Sequence, residues 1–278
     1  MSGGYRLSPM LISASDLAAR ISDARLSIID VRWYLADPSR GRREYEAGHI
    51  PTSVFCDLEA DLTGQTGPGR HPLPRPEAFT ATLRRLGVHR DHAVVAYDDS
   101  GGSAAARLWW MLRSIGHPEV SVLDGGFSEW TREERPVTQA IPRVKPGSYT
   151  TALEWSGVID RAGVAAGGHP LIDARAPERY RGEVEPIDPK AGHIPGAVNL
   201  AYAGNLGPDG RFLSPTDLAL RYEPVGPSPV VYCGSGVTAC HGILALAIAG
   251  RTDALLYEGS WSDWSRQTDS PVGLGDQP

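Results

Sequence analysis

The sequence predicts an α/β protein of two tandem domains, each a mostly parallel sheet flanked by helices. Three observations predict it. Short Val/Ile/Leu runs alternate with longer amphipathic stretches, the pattern of a sheet covered on both faces. Four motifs occur twice in the same order. The chain of 278 residues also exceeds a typical single domain.

The repeats set the element order. Leu26-Ser27-Ile28-Ile29-Asp30-Val31-Arg32 returns as Pro170-Leu171-Ile172-Asp173-Ala174-Arg175, a strand ending in Asp-x-Arg. Gly48-His49-Ile50-Pro51 returns as Gly192-His193-Ile194-Pro195. Ala93-Val94-Val95-Ala96-Tyr97 returns as Pro229-Val230-Val231-Tyr232, and the stretch from Leu123 to Trp130 returns as Tyr257 to Trp264. The first half reads as strands over Leu26–Val31, Ala93–Tyr97 and Val120–Leu123, with a helix over Ser103–Ile115. The second half reads as strands over Leu171–Ala174, Val230–Tyr232 and Ala254–Tyr257, with a helix over Ala239–Ala249. Pro142, Pro146 and Gly147 mark a linker. The expected division is 1–138, linker 139–150, and 151–278.

Composition narrows the class. Hydrophobic residues at 41% and charged residues at 22% describe an ordinary globular chain. No apolar run approaches ~18 residues, so no membrane span is expected. A net charge of −6 without a basic cluster argues against nucleic acid. Met1 to Pro9 lacks a basic region followed by an apolar stretch, so no secretory signal is expected there. Cys56, Cys233 and Cys240 lack disulfide-framework spacing, which points to a reducing, cytoplasmic compartment. No Cys or His pair has zinc-site spacing.

Cys233 carries the chemistry. It ends the run Val230-Val231-Tyr232 and opens the loop Cys233-Gly234-Ser235-Gly236-Val237-Thr238 before a helix. Such a turn aims backbone N–H groups and the positive end of a helix at the sulfur, favouring the reactive thiolate. A lone cysteine is usually a packed core residue, but a core position does not need two glycines and two hydroxyls beside it. In the first repeat Asp98 stands opposite Cys233, followed by Asp99-Ser100-Gly101-Gly102. An aspartate cannot do thiol chemistry, so residues 1–138 are expected to be catalytically silent. Cys240 follows two helical turns later; it reads as a small packed residue, with a resolving disulfide to Cys233 as the alternative.

These features resemble the tandem-domain rhodanese-like sulfurtransferases, from about Leu11 to Val272. The markers are the Asp-x-Arg strands, the paired Gly-His-Ile-Pro segments, the Trp130 and Trp264 ends, and the Cys-Gly-Ser-Gly-Val-Thr-Ala loop. Within the family the loop is similar to the mercaptopyruvate type, because thiosulfate-type members usually carry basic residues where this chain has Gly234 and Ser235. The resemblance implies that Cys233 takes sulfur from a small anionic donor as a persulfide. It then passes that sulfur to cyanide or a thiol, either a small molecule or a thioredoxin-like protein. The donor is 3-mercaptopyruvate or thiosulfate. The N–H groups of Gly234, Ser235, Gly236, Val237 and Thr238 would hold the sulfur anion, so no cofactor and no metal are expected.

The resemblance also implies that Arg179 faces the donor anion, a task that suits a planar guanidinium. Its alternative is a solvated surface arginine. Glu59, His71 and Ser235 match the residues proposed to help protonate the departing enolate; His71 could equally be a solvated loop histidine. Glu59 replaces the family's usual aspartate, and Ile187 stands where many mercaptopyruvate-type members have a second arginine. Arg181 or Lys190 would then supply that charge. Asp30–Arg32 and Asp173–Arg175 occur in both halves and read as structural ion pairs, as do His49 and His193 as structural histidines.

Other classes fit less well. Gly234 to Ala239 satisfies a Gly-x-Gly-x-x-Ala dinucleotide fingerprint, with Glu258 ending the next strand. That fingerprint opens its domain, whereas here little chain remains to build a nucleotide site. A cysteine phosphatase needs an arginine where Ala239 stands. A non-catalytic binding module is the remaining class, and persulfide formation separates it from an enzyme.

Overall fold

A computed structural model of the chain describes residues 9–150 and 154–278. The expected start of the second domain at 151 and most of the N-terminal segment lie outside the described residues. Among the described residues nine strands run in chain order: β1 (Leu11–Ile12), β2 (Leu26–Asp30), β3 (Val54–Phe55), β4 (Ala93–Tyr97), β5 (Val120–Leu123), β6 (Leu171–Asp173), β7 (Ala197–Asn199), β8 (Val230–Tyr232) and β9 (Leu255–Leu256).

Among the described residues these form two sheets, β1-β5-β4-β2-β3 and β7-β6-β8-β9, paired in parallel throughout. The apolar runs explain which strands lie inside. Ala93–Tyr97 and Val230–Tyr232 are buried at every position, as a strand covered on both faces must be. In each sheet the chain leaves in opposite directions around a central pair, β2/β4 in one and β6/β8 in the other. Such a reversal opens a crevice at the carboxyl ends of the strands. Asp98 follows β4 there, and Cys233 follows β8.

The duplication extends to individual hydrogen bonds. Arg32 is held by Asp30 and donates to the Gly48 carbonyl at 2.8 Å, while Arg175 is held by Asp173 and donates to the Gly192 carbonyl at 2.6 Å. All four ionic side chains are buried; breaking such a pair strands a charge and costs about 3–5 kcal/mol. His49 and His193 stack on Tyr45 and Tyr180 with ring centroids 4.0 and 3.8 Å apart, and each donates Nδ1–H to that tyrosine's carbonyl. Trp130 and Trp264 each donate to a proline carbonyl at 2.8 Å, from Pro136 and Pro271. The Asp-x-Arg, histidine and tryptophan markers are thus structural in both halves.

The chain divides into two compact units at other places than the sequence suggests. One holds Met1–Asp61 with Arg75–Trp155, the other Leu62–Pro74 with Ser156–Pro278. The expected linker 139–150 packs within the first unit: Gly147 N donates to the Arg84 carbonyl at 2.7 Å, and Arg84 donates to the Tyr149 carbonyl at 3.1 Å. Leu62–Pro74, which falls within the expected first domain 1–138, is part of the second unit.

Candidate active site

The loop after β8 is shaped for the sulfur. Gly236 has φ 79°, a left-handed conformation glycine adopts freely, and it caps the helix Val237–Ile248. The turn brings Gly236 N–H to 3.1 Å and Ser235 N–H to 3.5 Å from Cys233 Sγ. The positive ends of two N–H dipoles and the helix N-terminus therefore face the sulfur of a residue that is 2% exposed. The segment Gly259–Ser262 pins this loop from behind. Cys233 N–H donates to Ser260 Oγ at 3.1 Å, and the Cys233 and Gly234 carbonyls accept from Trp261 and Ser262 N–H, both at 2.9 Å.

Leu62–Pro74 supplies a further side chain, His71. Arg70 N–H donates to Ser262 Oγ at 2.9 Å and Leu73 N–H to Glu258 Oε2 at 2.6 Å, fixing the segment against the residues that pin the cysteine loop. His71 is buried, with Nδ1 2.7 Å from Ser235 Oγ, so its solvated-loop alternative does not hold. Arg179 follows β6 on the short helix Pro177–Tyr180. It donates to both carboxylate oxygens of Glu185, at 2.7 and 2.9 Å, and to Asp188 at 3.3 Å. A side chain at Gly234 would bring its Cβ to 3.3 Å from Arg179 Nη1, so that guanidinium borders the loop. It is not a solvated surface residue.

The second unit thus gathers Cys233, Ser235, His71 and Arg179. Glu59 lies in the first unit, on the helix Leu58–Asp61, and accepts from Trp33 Nε1 at 3.1 Å. Ile187 is exposed. The two residues suggested in its stead are engaged elsewhere: Arg181 pairs with Glu183 at 2.7 Å, and Lys190 donates to the Gln267 carbonyl at 2.6 Å. Cys240 is buried and unbridged, its thiol donating to the Gly236 carbonyl at 3.3 Å. Sequence reasoning passed over Arg70, Ser260 and the Glu185–Asp188 pair. Ser260 had a signal: it stands where the first repeat has Gly126, and both residues have positive φ, 52° and 58°.

The first unit carries the matching loop. Asp98 is fully buried, and its carboxylate accepts from Ser100, Gly102, Ala104 and Ala105 N–H at 2.8–2.9 Å. Burial pushes its carboxyl above the ordinary range against the opposing pull of those four donors.

A two-unit parallel α/β chain with a cysteine cradled at a strand's carboxyl end defines a class. Residues 13–133 and 160–267 match the rhodanese-like domain. The Pseudomonas aeruginosa "Probable 3-mercaptopyruvate sulfurtransferase" is 46% identical, over 97% of this chain and 99% of that one. The mouse "Thiosulfate sulfurtransferase" is 35% identical over 92% of each. The crystal structure of SseA from Escherichia coli, described as a 3-mercaptopyruvate sulfotransferase, superposes with a TM-score of 0.81 at 35% identity, covering 92% of this chain and 100% of its own. The chain belongs to the rhodanese-like family, and within it is a sulfurtransferase.

Proposed function

We propose that the chain takes the sulfur of 3-mercaptopyruvate onto Cys233 and passes it to cyanide or a thiol, in a reducing cytoplasmic setting. The thiolate attacks the donor sulfur. An S–S bond forms, the C–S bond breaks, and its electron pair leaves on carbon as the enolate of pyruvate. A proton to that carbon completes pyruvate, and the persulfide loses its own proton. Cyanide or a thiolate then attacks the outer sulfur, forming thiocyanate or a new persulfide and returning the Cys233 thiolate.

The observation that carries the donor choice is the 2.7 Å contact between His71 and Ser235. An enolate needs a proton, and a hydroxyl–imidazole pair beside the nucleophile can deliver one. Sulfite, the product from thiosulfate, leaves without one. Arg179 would hold the donor carboxylate, and the N–H groups of the loop from Gly234 to Thr238 would stabilise charge on the sulfur. Glu59 enters this scheme through the family resemblance, and Glu59→Gln is its test. Thiosulfate is the second reading, favoured by the apolar Ile187.

The test compares kcat/KM for the two donors with cyanide as acceptor, in the parent and in His71→Asn. Mercaptopyruvate should be the better donor, and His71→Asn should depress its use far more than that of thiosulfate. A parent that prefers thiosulfate, or a variant that loses both donors equally, overturns the donor assignment and leaves sulfur transfer standing.

A further inference from the structure

Arg70 has no counterpart in the motifs that identify the site, yet its guanidinium borders the cysteine loop as closely as that of Arg179. A Cβ built on Gly234 would lie 3.3 Å from Arg70 Nη2 and 3.3 Å from Arg179 Nη1. The two cations converge on one point of the loop, immediately after the nucleophile. Left alone they would repel each other, and Asp188 holds them together: Oδ1 accepts from Arg70 Nη1 at 2.8 Å and Oδ2 from Arg179 Nη2 at 3.3 Å. The Asp188 side chain is only 1% exposed, so the shared carboxylate acts in a weakly screening environment.

The carboxylates occupy one edge of each guanidinium and leave the other toward the loop. Glu185 and Asp188 take Nε and Nη2 of Arg179, and Asp188 takes Nη1 of Arg70. Arg70 Nη2 and Arg179 Nη1 are the atoms nearest Gly234. Arg70 Nε is moreover buried without a hydrogen-bond partner among the described residues. A buried charged donor left unmatched is costly unless a ligand completes it. The main chain of Arg70 is fixed by Ser262, the residue that also fixes Gly234, so the side chain is anchored to the loop it faces.

We propose that Arg70 is a second binding residue for the donor anion, forming with Arg179 a two-guanidinium clamp over Gly234 for a carboxylate or sulfonate. The assignment rests on the reading of Cys233 as acceptor of sulfur from an anionic donor, and it adds a group that sets donor affinity. Gly234 is part of the device, because any side chain there presses on both cations at once.

The experiment has a binding arm and a kinetic arm. In the binding arm pyruvate and thiosulfate are titrated calorimetrically into Cys233→Ser protein, with and without Arg70→Gln. In the kinetic arm donor KM and cyanide KM are measured in the otherwise unaltered chain. Arg70→Gln should weaken anion binding and raise donor KM about tenfold to a hundredfold, the loss of one charge-assisted contact. Cyanide KM should not move. Arg70→Lys, which keeps the charge without the fork, should recover part of the loss and carries the test if Arg70→Gln does not fold. Arg181→Gln should match the parent. Parent-like anion binding by both Arg70 variants overturns the proposal, as does an equal rise in cyanide KM. A parent that accepts sulfur from neither donor removes the transfer reading alone, because the binding arm still decides Arg70.

Discussion

The loops after β4 and β8 differ in length, yet each turns backbone N–H groups onto the side chain that opens it. In the first unit four N–H groups close on the Asp98 carboxylate, a built-in anion that cannot leave. In the second unit a shorter loop, whose helix begins at Val237, faces a sulfur with N–H donors at 3.1 and 3.5 Å and a pair of guanidiniums beside it. The difference teaches that the turn is a cup for negative charge before it is a catalytic loop. What the cup does depends on whether its charge is permanent or passes through. The segment behind each loop differs in the same sense. Gly126 lets the chain pass 2.2 Å from the Asp98 carbonyl where a Cβ would sit, whereas Ser260 accepts positive φ and offers its hydroxyl to Cys233 N–H.

The largest effect expected comes from exchanging the occupant of the working cup. Cys233→Ser should lower sulfur transfer by at least about three orders of magnitude, as nucleophile removal does elsewhere. Intact mass after donor treatment should rise by one sulfur in the parent and not in the variant. Sulfur appearing on Cys56 or Cys240 would break the comparison.

Emptying the silent cup should cost stability instead. Asp98→Ala leaves four buried N–H groups without their acceptor, and the expected loss is about 3–5 kcal/mol in denaturant unfolding. Parent-like stability would mean that the Asp98 charge is not what holds that loop.

His117 tests the first unit, whose loop carries no thiol. It is buried in the first unit, with Nε2–H donating to the His92 carbonyl at 3.0 Å and Nδ1 facing the Tyr149 hydroxyl at 3.3 Å. Burial lowers its pKa from 6.5 to about 4. The unfolded chain therefore takes up this proton first as pH falls. The stability His117 contributes is complete above pH 6.5 and is lost as pH falls toward 4, a swing of about 3 kcal/mol. Unfolding midpoints of parent and His117→Gln across that window should converge at low pH. Parallel curves would sink the assignment.

The smallest effect belongs to Ser260→Gly. It relieves a left-handed conformation worth about 1 kcal/mol and removes a hydrogen bond of similar worth, so stability should stay within about 1 kcal/mol. Sulfur loading should slow by about fivefold as Cys233 N–H loses its acceptor. An unchanged rate would show that the segment supports the loop through Trp261 and Ser262 alone.

Repetition made much of this readable from residues. Cys233 opposite Asp98 singled out the half that carries a thiol in its loop, and the duplicated Asp-x-Arg pairs identified themselves as scaffold because both halves keep them. Strands β2, β4, β5, β6, β8 and β9 were legible as apolar runs or their repeats, whereas β1, β3 and β7, at two or three residues each, hold no run that registers. Arg70 was hidden for another reason. Its partners lie far along the chain, and Gly64 to Pro74 lacks the periodicity that would assign it to either sheet. That Leu62–Pro74 belongs with the second unit is a tertiary fact that no local pattern carries.

That crossing of the chain has a consequence for how the site comes into being. Arg70 meets Asp188 and Ser262 across 118 and 192 residues, and His71 meets Ser235 across 164. Contacts of such separation close late, because loop entropy must be overcome before they repay it. On a ribosome Leu62–Pro74 emerges early and waits for nearly the whole remaining chain before its partners exist. A fragment beginning at Ser156 would keep Cys233 and its cradle yet lack both Arg70 and His71. The compact unit that carries Cys233 thus includes thirteen residues embedded in the sequence of the other repeat.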